Sequence, residues 1–316
     1  VPSIAVLGPQ QPVPYLADAL DKLGVSGPVC SITAGWQERE GELDELIGHI
    51  DRPCHDLGLY QRADVLFASD QPLFEAHRAR QDKLRFLQTL YRRRLDYAIA
   101  AARELMATEG DAEVVTRERR SAITAIRTLD RQHLRHIRDV HGAFDARWHA
   151  TRHPSLTGLH EELTGRIGES DAVLIAGGHV SILINRLRLF GLGEALAGKP
   201  LVAWSAGAMA LSRRVVLFHD SPPQGEGHAE LLDAGLGLLA PLLPLPHADQ
   251  RLALEDRERV ALLARRFSPE PALTLDAGGR LFGDAQHWHS VENCRRLTSR
   301  GRVEPASVSD LNRRKP

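Results

Sequence analysis

Ser205 stands in Ala203-Trp204-Ser205-Ala206-Gly207, where an apolar run starting at Pro200 stops and small residues open a helical pattern through Leu211. A serine at such a junction sits on a tight strand-to-helix turn with its hydroxyl raised above the sheet edge. Bulky side chains at Ala203 or Gly207 would clash across the bend. The position suits nucleophilic acyl chemistry. A hydroxyl is a poor nucleophile until a base accepts its proton, and the usual base is an imidazole whose second nitrogen a carboxylate holds. The chain has 15 histidines, so position must choose among them. His247 follows an apolar, proline-punctuated run and reads as the exit of a core strand. Asp220 follows another strand, close to the elbow in sequence. Both are expected at the sheet edge that carries Ser205. The bland alternative is a capping aspartate and a surface histidine. His219 competes as a base, although adjacent strand residues point to opposite faces.

Other constellations are thinner. His287 and His289 share a strand face near Cys294, but no second spaced pair completes a zinc set. His133, His136 and His141 lack the spacing of four that puts two ligands on one helix face. Gly8-Pro9-Gln10 lacks the glycine fingerprint of a dinucleotide site. Neither a metal nor a cofactor is therefore expected. A formal net charge of −1 gives no global case for nucleic-acid or membrane binding. Arg92-Arg93-Arg94, and Arg117 with Arg119-Arg120, are interspersed with acids and read as solvated helix faces. No apolar run approaches membrane-spanning length. Cys30, Cys54 and Cys294 are too few and scattered for a disulfide framework, which favours a reducing, cytoplasmic setting.

The elements that must position these residues follow from periodicity. Ile4–Leu7, Pro28–Thr33 and Asp171–Ala176 are apolar runs stopped by glycine or proline, alternating with helical patterns. This argues for βαβ units and a three-layer α/β fold, a mostly parallel sheet flanked by helices. Residues 1–62 read as the first part of that core and 151–302 as the second. Between them, residues 63–150 carry two long helical stripes, through Phe74, Tyr91, Leu95 and Ile99, then Ile123, Ile126, Ile137 and Phe144. They predict an antiparallel helical hairpin inserted into the core. Ala272–Leu275 and Arg280–Phe282 flank Gly278-Gly279 and read as a β-hairpin, and 303–316 as a loose polar tail.

Trp204-Ser205-Ala206-Gly207-Ala208 resembles the nucleophile segment of the peptidase E family, the dipeptidase E and cyanophycinase group of serine peptidases. Three further features resemble the family in the same order. Asp171–Gly178 is similar to its apolar strand ending in glycines, Asp220 falls where dipeptidase E members place the triad acid, and Leu245-Pro246-His247 resembles the catalytic-histidine segment. The resemblance covers roughly 1–60 and 155–300 and is sharp from Asp171 to His247. It implies a class I glutamine amidotransferase-like fold and an acyl-enzyme on Ser205. His247 would be the base and Asp220 its orienting acid, with backbone N–H groups of Ala206 and of Gly177 or Gly178 as oxyanion donors. His179 and Val180 replace the family's asparagine and threonine after the glycines, and Met209 replaces an asparagine. The family's aspartyl-dipeptide or cyanophycin preference is therefore not transferred. His179, Trp204, Met209 and His219 are candidate pocket residues. A small peptide or amide is the expected substrate. The alternatives are acyl transfer by the same triad, or a non-catalytic scaffold that docks partners or dimerises through the helical hairpin or the core.

Overall fold

A computed structural model describes residues 3–220 and 227–313. The chain opens with β1 (Ile4–Leu7), α1 (Leu16–Lys22), β2 (Val29–Ile32), α2 (Asp44–Gly48) and β3 (Cys54–Asp56). Three helices follow: α3 (Leu59–Ser69), α4 (Gln71–Ala107) and α5 (Ala112–Trp148). Alternation then resumes with α6 (Pro154–Glu169), β4 (Ala172–Ile175), α7 (Val180–Leu189), α8 (Gly193–Ala197), β5 (Leu201–Trp204) and α9 (Ala206–Leu211). Next come β6 (Arg214–Leu217), β7 (Glu230–Ala234), β8 (Leu243–Pro246), α10 (Ala248–Arg251) and α11 (Arg257–Phe267). The chain closes with β9 (Ala272–Leu275), β10 (Arg280–Gly283), β11 (Trp288–Glu292), β12 (Arg295–Leu297), β13 (Val303–Pro305) and α12 (Val308–Leu311).

The short apolar runs become the centre of a seven-stranded sheet in the order β11-β10-β1-β5-β4-β2-β3. From β1 to β3 every pairing is parallel, while β10 and β11 add an antiparallel edge. Every residue of β1, β2, β4 and β5 is buried, as expected of strands covered on both faces. Side chains alternate between the two helical layers. Ile4 and Val6 join the cluster of Leu163, Leu183 and Leu187, while Ala5 and Leu7 pack with Leu16 and Leu20. The sequence-predicted α/β layering is what forms.

Two short-range expectations fail. Ala272–Leu275 and Arg280–Gly283 do not pair with each other: β9 joins a separate sheet of order β13-β12-β9-β8, while β10 pairs with β1 and β11. Both runs are apolar, and each finds a longer-range partner that buries it. Nor are residues 303–313 loose. β13 pairs with β12, Leu311 is buried, and Arg296 bridges to Glu304 and Asp310.

The helical stretch is an antiparallel pair, α4 against α5, with Asp70 and Asp111 accepting from the backbone at their N-termini. Tyr91, Leu95, Ile99 and Ala102 meet Ile123, Ile126 and Leu129. In the first turns of α4 the buried positions are Leu73 and His77 rather than Phe74. The pair is fastened to α11 by a buried network. Arg266 donates two hydrogen bonds to Asp130 at 2.7 Å and one to the Tyr91 hydroxyl at 2.6 Å, and that hydroxyl donates to Asp130. Burial alone would lower the guanidinium's pKa, but Tyr91 and Asp130 outweigh it and the net direction is upward. Among the described residues no helix is long and apolar enough to cross a membrane.

Candidate active site

The elbow forms where β5 ends. Ser205 has φ 50° and ψ −117°, an uncommon conformation for a residue with a Cβ, and it turns the chain directly into α9. Such strain persists only where the surroundings enforce it. Gly207 shows why: a Cβ there would lie 2.1 Å from the Ile175 carbonyl oxygen. Gly177 is also close, on the other side, since its Cβ would stand 3.0 Å from that of Ser205. The backbone N–H groups of Gly177, Gly178 and Ala206 donate to no acceptor among the described residues. Gly177 and Ala206 thus bring unengaged donors beside one hydroxyl, with Gly178 lining the same cleft, the arrangement an oxyanion needs.

His247 reaches the same point from the smaller sheet. It follows β8 and adopts φ 57°, ψ 35°, with its N–H donating to the Leu275 carbonyl of the neighbouring β9 at 3.2 Å. Its Nε2 lies 3.4 Å from Ser205 Oγ. That is long for a hydrogen bond, but catalytic pairs tighten when substrate arrives. The expectation that both residues sit on one sheet edge is replaced by a junction: serine from the large sheet, histidine from the small one.

Asp220 does not join them. It follows β6, which pairs with β7 in a separate two-stranded ribbon. Its carboxylate accepts from Arg259 Nη2 at 2.7 Å and from the Ala253 N–H at 2.8 Å. It lines an apolar pocket with Leu252, Leu254 and Val260, not the cleft around Ser205. Among the described residues, the carboxylate whose charge reaches His247 is that of Asp276, which follows β9 just as His247 follows β8 in the adjacent parallel strand. Asp276 lines the Ser205 cleft, accepts from the Asp249 N–H at 3.0 Å and lies 3.3 Å from Arg295. An acid placed directly after an apolar strand and before Ala277-Gly278-Gly279 was the available sequence signal. Reading β9 and β10 as a hairpin hid it.

Burial lowers the His247 pKa, Arg251 one turn further on lowers it again, and Asp276 opposes both. The net direction is downward, so the ring stays neutral, and able to take a proton, to more acidic pH than a free histidine. Trp204, Met209 and His219 line the cleft as expected. His179 does not. It is exposed and caps α7, its Nδ1 accepting from the Ile182 N–H at 3.4 Å and pairing with Ser181 Oγ at 2.9 Å. The helical pair also reaches the cleft, where Arg92 of α4 holds Glu230 through two hydrogen bonds of 2.7 and 2.9 Å.

A family model described as Peptidase family S51 matches residues 128–290, a span that contains Gly177, Ser205, His247 and Asp276. The chain belongs to this family. S51 is the peptidase E family, so the chain is a hydrolase of the serine peptidase kind. Comparison with curated proteins finds no match. The S51 match begins inside α5, so α4 and the first half of the core lie outside it.

Proposed function

We propose that this S51 chain cleaves an amide bond of a small peptide or amide through an acyl-enzyme on Ser205. The observation that carries the reading is the meeting of a strained elbow serine, an imidazole nitrogen at 3.4 Å and three unengaged backbone N–H groups. His247 takes the hydroxyl proton as Oγ attacks the carbonyl carbon, then returns it to the leaving amine. The N–H groups of Ala206 and of Gly177 or Gly178 receive the negative charge that develops on the carbonyl oxygen. A donor of this kind contributes about a hundredfold or more in rate. Water then attacks the ester by the same route in reverse, with His247 again the base. Asp276 is the carboxylate that stabilises the imidazolium, and Asp220 serves the fold.

The central order β1-β5-β4-β2-β3, with the elbow at the end of β5, supports a class I glutamine amidotransferase-like core in which 63–150 is an insertion. The three cysteines, all free, support a cytoplasmic setting. Labelling by a fluorophosphonate probe tests the assignment. Wild type should label and Ser205→Ala should not; equal labelling, or none in either, would overturn it.

A further inference from the structure

Among the described residues, the outer face of α4 carries the densest set of exposed large apolar side chains. Phe86 is 63% exposed, Leu90 42% and Tyr97 81%. They fall on one line with Ala79, Lys83, Arg93 and Ala100, spaced alternately four and three residues apart, the repeat that suits a second helix. The opposite face of α4 already packs on α5 and the core through Tyr91, Leu95 and Ile99. The exposed line is therefore surplus to folding the monomer.

We infer that this face binds its counterpart on a second copy of the chain, α4 packing antiparallel on α4 about a two-fold axis at Leu90. The pattern is self-complementary in that register. Leu90 meets Leu90 at the axis, Phe86 comes under the Arg93–Arg94 level of the partner, Tyr97 under Lys83, and Ala79 opposite Ala100–Ala101. Each aromatic ring is thereby matched with a cation. Lys83 and Arg93 are exposed and make no ion pair among the described residues, so both are available to sit over a ring. The small residues at either end let the two helices close. Glu75 comes near Glu104 of the partner at the far ends, which loosens the outermost turns and confines the tight contact to the span from Ala79 to Ala101.

One helix face is a small interface, so dimerisation at about 10 µM rather than nanomolar concentration is expected. Sedimentation velocity across about 1–200 µM should show wild type passing from monomer to dimer. Leu90→Glu should remain monomeric throughout with unchanged circular dichroism and unchanged fluorophosphonate labelling. Directed cross-linking gives a second reading that does not depend on affinity. Leu90→Cys should form a disulfide dimer alone under mild oxidation, and Phe86→Cys should cross-link to Arg94→Cys when the two are mixed but only weakly to itself. A wild type that is monomeric at 200 µM, or a dimer indifferent to Leu90→Glu, would overturn the inference. Efficient Phe86→Cys self-linking would overturn the antiparallel register.

Discussion

Ser205 and His247 share a backbone peculiarity: both hold a positive φ, 50° and 57°, although neither is glycine. Each reverses the chain at a strand exit, which lifts its side chain clear of the sheet and toward the other. Which carboxylate serves this pair is decided by position. Asp220 is tied to Arg259 and the Ala253 N–H away from the Ser205 cleft, whereas Asp276, itself held by the Asp249 N–H and Arg295, lines that cleft and acts on the His247 charge. Asp276→Asn should therefore lower kcat far more than Asp220→Asn. A loss of about a hundredfold or more is expected for the former, since the imidazolium loses its stabilising charge. Asp220→Asn should be read mainly as a fall in Tm. Equal kcat losses at matched stability would refute the choice. The pH profile supplies an independent check. Arg251 holds the His247 pKa down, so Arg251→Gln should move the acid limb of kcat/KM to higher pH, and Asp276→Asn should move it lower. Sequence could locate the serine, because an elbow needs small residues at fixed offsets. It could not separate Asp220 from Asp276, because both are acids within three residues of the end of an apolar strand and only the sheet pairing tells them apart.

Elements were legible where their periodicity was long. The 37-residue helices α4 and α5 repeat their apolar stripe often enough for type and partner to be plain. Runs of four residues, such as β9 and β10, are apolar enough to be strands, but their composition does not say which sheet receives them. Polar contacts escape the pattern for a related reason. Residues 303–313 are held by arginine–carboxylate contacts, and the hairpin is joined to α11 through polar groups invisible to a hydrophobic stripe. Asp130 is the centre of that joint, because the Arg266 guanidinium it receives is fully buried. Asp130→Ala would leave that charge uncompensated and should destabilise the protein by about 3–5 kcal/mol. Tyr91→Phe removes only the hydroxyl that accepts from Arg266 and the Leu231 N–H, and should cost about 1–3 kcal/mol. Urea unfolding at neutral pH measures both. If Asp130→Ala costs no more than Tyr91→Phe, the network is not what fastens α5 to α11.

At the scale of the whole molecule, the Ser205 cleft is walled by three bodies: the seven-stranded sheet, the smaller sheet that brings His247 and Asp276, and α4 with Arg92. Keeping the third in place depends on neutral histidines inside the helical layer. Burial pulls the pKa of His77 and of His133 down to about 4, His77 pairing with Asn185 of α7 and His133 with Gln88 while stacking on Tyr91 at 3.9 Å. A folded-state pKa below the unfolded value near 6.5 means that the unfolded chain binds these protons first. The stability is therefore fully present above about pH 6.5 and is lost progressively as pH falls toward 4. At roughly 1.4 kcal/mol per pH unit, each ring contributes up to about 3 kcal/mol to that loss. Tm should accordingly decline across this interval in wild type. His133→Gln, which keeps a polar side chain without a titrating ring, should flatten the decline even if it lowers Tm at pH 7. Because α4 carries both Arg92 on the cleft and the exposed line through Leu90, acid should loosen that wall before the parallel sheet unfolds. Hydrogen exchange at pH 5 should then show α4 and α5 opening while β1, β4 and β5 stay protected; uniform loss of protection across all of them would contradict this order.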